Sequence, residues 1–333
     1  MTAATQAAPA RGQQRVIAPP VTGQELVLVG VIAVVWVLLA VFTPAFLTPE
    51  SIQPLLVRLA PIGVMAVGMT FIIITAGIDI SVAANLMVCA VVTAKLLTTG
   101  LAFLPALLVA LVLGAVLGAV NGVLIAYGRV PAIIITFGTA NVFQFVGLRI
   151  FNSQTVNNIP ATFAFFGQGP PGRTLGVPHS FVIMALIVAA GWWYLRHFAG
   201  GRHLFAIGGD PRAAALAGVD VRRRTFLVYT LTGLLVGLAA CFTLAGGTSN
   251  LDQNVGRGQE LAVIAAVVIG GTSILGGRGS VLGSVLGALL VQTVSSGVTQ
   301  LNWPSQLSAF FVGVFIIIAV GADQIRERRR RGR

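Results

Sequence analysis

Apolar runs of about 20 residues recur along the whole chain, and they limit the possible folds more than any other feature. A helix of about 20 residues is needed to cross the hydrocarbon core of a bilayer. The strands of a membrane barrel are shorter and alternate apolar with polar residues, whereas the runs here are continuous. The pattern therefore predicts an all-α fold, a polytopic bundle of transmembrane helices.

Composition excludes the other broad classes of protein. Hydrophobic residues make up 56% of the 333 residues and charged residues only 9%, whereas soluble domains carry roughly 25% charged residues. Disordered chains are poor in large apolar residues, so disorder is excluded as well. The net charge of +12 comes mainly from arginines in connections and tails, which is typical of membrane topology and not of a nucleic-acid-binding face.

Ten apolar segments are predicted to be membrane spans. They cover residues 25–43, 55–75, 82–99, 105–127, 131–151, 180–195, 226–245, 260–274, 281–298 and 307–320. The segment 260–274 is shorter than a helical crossing requires. Half-helices or re-entrant segments are therefore the alternative for the short segments.

The distribution of arginine predicts the orientation in the membrane. The connection 196–224 and the end of the chain each hold six arginines, whereas the connection 152–179 holds only Arg173. Because Lys and Arg are enriched on the cytoplasmic side, the first two are predicted to be cytoplasmic and the third external. Residues 1–24 are predicted to be a flexible cytoplasmic tail, 25–322 the membrane domain and 323–333 a basic cytoplasmic tail.

Two breaks that contain glycine interrupt apolar segments at corresponding places, residues 76–81 and 270–280. They divide the bundle into two repeat-like halves. Paired breaks of this kind are the best sequence pointer to the binding region of a transporter, because unwound backbone at membrane depth must line protein or a wet cavity. Close helix packing is the alternative for each glycine taken singly.

Polar residues in or beside the spans are candidates for lining a translocation path. They are Asp79, Ser81, Asn85, Asn121, Asn141, Gln144, Glu260, Thr272 and Ser273. An ionisable group inside a span costs roughly 2.5–3.5 kcal/mol, so it usually faces a cavity or a partner. Asp79 has an equal alternative as a cap of the following helix with Ser81 assisting, and the amides have one as hydrogen-bonded joints between helices.

The connection 196–224 contains the signals of one complete short helix. Asp210 suits the N-cap, Pro211 suits the first helical position, an alanine run follows, and Gly218 suits the C-terminal stop. A helix of about seven residues is marginal by itself and needs something to dock against. The pattern therefore predicts a docking helix for another protein, with a turn that stiffens the loop as the alternative.

Motifs for catalysis or for binding ATP are missing from the sequence. A Walker A loop needs a lysine beside Ser or Thr, and the single lysine, Lys95, lies in an apolar run between Ala94 and Leu96. The three histidines lack metal-like spacing, and Cys89 and Cys241 lie inside apolar runs, as core residues do. We therefore expect a non-enzymatic subunit without metal or cofactor, and any ATP must be used by another chain.

Four ordered motifs resemble those of bacterial ABC sugar-importer permeases of the ribose type. They lie at residues 77–82, 130–133, 208–218 and 260–280. The similarity covers roughly residues 43–320. Within that family, residues 77–85 look most like the rhamnose and autoinducer-2 permeases.

The resemblance implies a permease in the bacterial inner membrane that forms the translocation path for a monosaccharide. It implies three partners: a second permease subunit, identical or homologous, a cytoplasmic ATP-binding subunit and a periplasmic sugar-binding protein. In such permeases the short cytoplasmic helix transmits closure of the ATPase to the membrane helices. Carried onto this chain, the contacting residues are Gly208, Gly209, Asp210, Pro211, Ala213, Ala217 and Gly218.

Two other functions remain as alternatives at this point. A branched-chain amino-acid permease belongs to the same superfamily, although residues 77–81 differ from the break those relatives usually carry. An ion-coupled secondary transporter belongs to another class, and it would accumulate its substrate without a partner ATPase. Proton coupling would favour several buried carboxylates, in which the chain is poor.

Overall fold

The computed structural model describes residues 23–167, 169–247 and 249–331. The predicted N-terminal tail therefore lies almost wholly outside the described residues. The described part contains twelve α-helices: α1 (Gly23–Phe42), α2 (Pro49–Ile74), α3 (Val82–Thr98), α4 (Phe103–Ala126), α5 (Ala132–Phe151), α6 (His179–His197), α7 (Ala199–Gly209), α8 (Pro211–Leu216), α9 (Val221–Gly246), α10 (Gln259–Ile269), α11 (Val281–Gln300) and α12 (Gln306–Arg331). Two short strands, β1 (Arg173–Thr174) and β2 (Val177–Pro178), pair antiparallel between α5 and α6.

Seven of the described helices are long and apolar enough to cross a membrane, namely α1, α2, α4, α5, α6, α9 and α11. The helices α3 and α10 and the apolar part of α12 are shorter. The predicted helical architecture is therefore confirmed, whereas a count of ten crossings is not. Helix α10 also ends at Ile269, five residues before the predicted end of its segment, because the following glycines turn the chain and Gly271 adopts a positive φ of 91°.

Helix α2 forms the centre of the bundle. Its most apolar 18-residue stretch is 94% buried, against 22% for α1, α4 and α5. Helices α6, α9, α10 and α11 pack around it, and α3 packs between α4, α5 and α9. The exposed apolar faces of α1, α4 and α5 are typical of helices that border lipid, because a membrane removes the cost of exposing them.

Helices α4 and α9 approach closely along two rows of glycine. A Cβ built on Gly114 would lie 2.8 Å from the backbone nitrogen of Gly237, and one built on Gly118 would lie 2.9 Å from Cα of Gly233. Small residues spaced four apart let two membrane helices bring their backbones together. Along this contact, close packing is the role of the glycines.

The two glycine-containing breaks meet each other at the C-terminal end of α7. The Gly277 N–H donates a hydrogen bond to the carbonyl oxygen of Ile74, the last residue of α2, at 2.9 Å. A Cβ on Gly276 would lie 2.9 Å from the carbonyl oxygen of Gly208, and one on Gly208 would overlap both the Ile74 oxygen and the Gly277 nitrogen. The end of α2, the second break and the end of α7 therefore form one tight backbone junction.

Candidate functional site

A cavity of about 430 Å³ opens between α3, α5 and the segment that leads into α10. The residues that line it include Ile80 of the first break together with Ala83 and Ala84 of α3. The residues that line it from α5 lie around the middle of that helix, which is long enough to cross a membrane. The cavity therefore lies between the two ends of the bundle.

The segment before α10 runs from one end of the bundle into its interior. The backbones of Ser249 and Leu251 are bonded to Ile159 and Val156 in the connection after α5. Further along, a Cβ on Gly256 would lie 2.9 Å from the carbonyl oxygen of Ala83 in the first turn of α3. Helix α10 begins three residues later, so its N-terminus opens into the cavity.

Three of the predicted path residues line this cavity. Asn141 and Gln144 lie one turn apart on the exposed face of α5, and Glu260 lies in the first turn of α10. Asn141 Nδ2 donates to the carbonyl oxygen of Phe137 at 2.8 Å, and the side-chain oxygen of an amide can accept hydrogen bonds as well. The three side chains come from two helices and converge on one space.

Three further lining residues were missed from the sequence: Gln253, Asn254 and Arg257. They lie in the segment before α10, which the sequence presents only as a connection. The signal in the sequence was a run of polar residues between two apolar segments, with glycines at 256 and 258. In the structure both glycines adopt a positive φ of 80°. Amides with one cation and one carboxylate can donate to and accept from the hydroxyl groups of a small polar molecule.

A second group of predicted path residues forms a buried hydrogen-bonded chain. Asp79 Oδ1 accepts from the N–H and the Oγ of Ser81, at 2.8 and 2.6 Å. Ser81 Oγ accepts from Asn121 Nδ2 at 2.7 Å, and Asn121 Oδ1 accepts from Thr139 Oγ1 at 2.6 Å. This chain joins the first break to α4 and α5, and the Asp79 contact is the local turn that precedes α3.

The remaining predicted path residues also lie in the packed interior. Asn85 donates to the carbonyl oxygen of Gly114 at 3.4 Å, and Thr272 Oγ1 lies 3.5 Å from Oγ of Ser284. Ser273 is buried, and its N–H donates to the carbonyl oxygen of Arg278 at 3.1 Å. These bonds connect helices and the second break, and a role for these residues on a path stays a prediction.

The short helix predicted in the connection 196–224 is present as α8. Asp210 Oδ1 accepts from the N–H groups of Arg212 and Ala213, at 2.8 and 3.1 Å. Pro211 occupies the first helical position. Gly218 adopts a positive φ of 85°, and its N–H donates to the carbonyl oxygen of Ala215 at 3.0 Å. The cap and the stop therefore act as the sequence predicts.

Helix α8 presents an apolar surface to its surroundings. Ala214 faces inward with 5% of its surface exposed, whereas Leu216 is 92% exposed. Ala213 and Ala217 are exposed as well. Leu216 was not among the predicted contact residues. Asp210 alone separates α8 from α7, whose last turn lies in the backbone junction.

Comparison with known proteins supplies the family. The profile described as "Branched-chain amino acid transport system / permease component" matches residues 51–320. The ribose import permease protein of Bacillus subtilis is 37% identical over 86% of this chain and 89% of its own length. The fructose import permease protein of Rhizobium meliloti is 34% identical, over 84% of this chain and 79% of its own length.

Another relative is the D-allose transport system permease protein of Escherichia coli, 32% identical over 84% of this chain and 85% of its own length. No solved structure matches the chain significantly. The family profile covers most of the chain, and several apolar helices mark it as a multi-pass inner-membrane protein. The resemblance to ribose-type importer permeases is thus confirmed, and the chain belongs to this family of transport-system permease components.

Proposed function

We propose that the chain is the membrane permease subunit of an ATP-driven importer for a monosaccharide, of the ribose, rhamnose or autoinducer-2 kind, and that it forms the translocation pathway. The names of its relatives support a sugar. The cavity supports it too, because amide groups and two charged side chains line it.

The energy source is proposed to be a separate ATP-binding subunit on the cytoplasmic side, with both termini of this chain on that side. The absence of a Walker lysine from the sequence supports this. A second permease subunit, identical or homologous, would complete the open side of the cavity beside α5. A periplasmic sugar-binding protein would deliver the substrate at the other end, near the connection 152–179.

The observation that carries the proposal is the position of α8. A partner that moves α8 also moves the end of α7, since Asp210 alone lies between them. That end touches the last residue of α2 and the second break. Because Ile80 in the first break and Ala83 just beyond it line the cavity, motion at α8 is passed to the cavity walls through backbone contacts.

The coupling proposal predicts that Ala213→Trp uncouples ATP hydrolysis from transport. A bulky ring on the exposed face of α8 prevents the ATP-binding subunit from docking closely. Loss of a central contact in an interface typically costs on the order of 2 kcal/mol of binding free energy, or roughly thirtyfold in the affinity of the two subunits. The measurement is substrate-dependent ATPase activity and uptake by the assembled importer in vesicles. Ala199→Trp, an exposed alanine at the start of α7, is the matched control and is expected to keep both. Normal coupling in Ala213→Trp would contradict the docking role.

Reconstitution separates the proposal from an ion-coupled transporter. Vesicles that contain this chain alone are expected not to concentrate sugar inside, even when a proton or sodium gradient is imposed across their membrane. Addition of the ATP-binding subunit, the binding protein and ATP is expected to restore accumulation. Uphill uptake by the lone chain would overturn the assignment.

The cavity predicts that Asn141→Phe blocks passage without disturbing the fold. The ring would fill space between α5 and α10 and remove an amide that faces the cavity, so we expect uptake to fall at least about tenfold, equivalent to about 1.4 kcal/mol. Val142→Phe is the control, since Val142 is the next residue and is 57% exposed without lining the cavity. Equal uptake in the two variants would remove the cavity from the path.

A further inference from the structure

A second cavity, of about 280 Å³, lies between α2, α6 and α9, beside α7. Its walls are apolar and include Val67, Phe71, Ile187 and Leu231. Leu231 is 40% exposed, so the cavity is a groove that opens toward the surroundings of the bundle. It is separate from the polar cavity beside α5.

Among the described residues that line the groove, Tyr194 and Arg224 have polar side chains. Both lie at one end of the groove. A Cβ built on Gly200, in the first turn of α7, would overlap the Tyr194 hydroxyl and lie 3.1 Å from Nη1 of Arg224. The hydroxyl and the guanidinium therefore end at the same point, close to the start of α7. Both can donate hydrogen bonds to a phosphate oxygen.

The charge around this end is strongly positive. The connection 196–224 holds six arginines and two aspartates. The two carboxylates, of Asp210 and Asp220, accept N–H groups in the first turns of α8 and α9. An anion at the groove would therefore meet an excess of guanidinium groups.

Aromatic residues place this end at the membrane interface. Trp192 and Trp193 lie next to Tyr194 near the end of α6, and the guanidinium carbon of Arg196 lies 5.5 Å above the ring of Trp192. Tryptophan and tyrosine are enriched where a bilayer meets water. The groove thus has its polar end at headgroup level and its apolar walls along the hydrocarbon.

We propose that this groove binds an anionic glycerophospholipid, with an acyl chain against the apolar walls and the phosphate at Arg224 and Tyr194. Basic pockets between membrane helices are suited to anionic headgroups. A free phosphate would make no contact with the apolar walls. A lipid, in contrast, would place an acyl chain against the walls and its phosphate beside the guanidinium of Arg224.

Native mass spectrometry of the assembled importer tests the proposal. The complex is exchanged in nanodiscs of equal phosphatidylglycerol and phosphatidylcholine with identical acyl chains, and the lipids that it retains are counted. We expect phosphatidylglycerol to be retained about fivefold over phosphatidylcholine, the preference expected from one arginine near a membrane surface. Arg224→Gln should reduce the ratio to about one, while Arg224→Lys and the exposed control Arg222→Gln should keep most of it.

The apolar part of the groove has its own matched pair of variants. Ala190 lines the groove, whereas Ala189 is exposed on the same helix and does not. Ala190→Trp is expected to reduce retention of both lipids, and Ala189→Trp to leave it as in the wild type. An unchanged ratio in Arg224→Gln, or unchanged retention in Ala190→Trp, would overturn the proposal.

Two competing occupants are distinguished by the same preparation. Displacement of phosphatidylglycerol by millimolar inorganic phosphate would mean that the site recognises phosphate and not lipid. Loss of subunit assembly in Ala190→Trp with normal lipid retention would mean that the groove is covered by another protein chain. Either result would contradict the lipid site.

Discussion

Gly208→Ala is expected to destabilise the permease severely, because the added methyl group meets backbone and not flexible side chains. It would overlap the carbonyl oxygen of Ile74 and the nitrogen of Gly277, two atoms that are hydrogen-bonded to each other at 2.9 Å. Overpacking of this kind typically costs 1–3 kcal/mol and here we expect about 3 kcal/mol. The measurement is the thermal unfolding temperature in detergent, with transport in vesicles as the second readout.

Its matched control is the neighbouring glycine. Among the described residues, no atom lies within 4 Å of a Cβ built on Gly209, so Gly209→Ala is expected to leave the unfolding temperature within about one degree of the wild type, as for most surface substitutions. A normal unfolding temperature for Gly208→Ala would contradict the backbone junction. The proposed route from α8 to the cavity would then lose its middle link.

Gly233→Val is expected to separate α4 from α9 and to prevent accumulation of folded protein. A Cβ at this position would overlap the carbonyl oxygen of Gly114 and lie 2.8 Å from Cα of Gly118, and two methyl groups beyond it enlarge the clash. We expect at least about 3 kcal/mol of destabilisation, the upper part of the range for overpacking. Yield and monodispersity after extraction, with thermal unfolding of what remains, measure the effect.

Gly138→Val controls for the valine itself. Gly138 lies within α5, and no described atom lies within 4 Å of its ideal Cβ. Valine there replaces a poor helix former by a better one, so the variant is expected to accumulate as the wild type does. If Gly233→Val also accumulated normally, the close approach of α4 and α9 would be refuted.

The local features of the chain were predictable because their causes are local. Each predicted apolar segment contains one helix, since a long apolar run buries its backbone groups best as a helix. The ends of α8 follow from Asp210, Pro211 and Gly218, whose effects act within one turn. The end of α10 was misplaced because the two glycines that terminate it lie inside an otherwise apolar run.

The polar residues were predicted less well, since a polar side chain in a span can face a cavity or a neighbouring helix with the same sequence pattern. Asn141 and Asn121 illustrate this. Asn141 is exposed toward the cavity, whereas Asn121 is buried between Ser81 and Thr139. Only the packing of neighbouring helices distinguishes them. Arg257 was missed for the same reason, because the sequence shows its segment as a connection and does not show which helices pack around it.

By itself, the sequence determined that this protein is a membrane-embedded helical bundle with a capped helix in its most basic connection. Hydrophobicity, charge bias and capping depend on composition and near neighbours, so they can be derived without coordinates. The tertiary structure alone decided that the two breaks meet at Gly208 and that the segment before α10 enters the interior to close a cavity. Those contacts join residues far apart in the chain, and a one-dimensional pattern holds no information on which distant backbones approach.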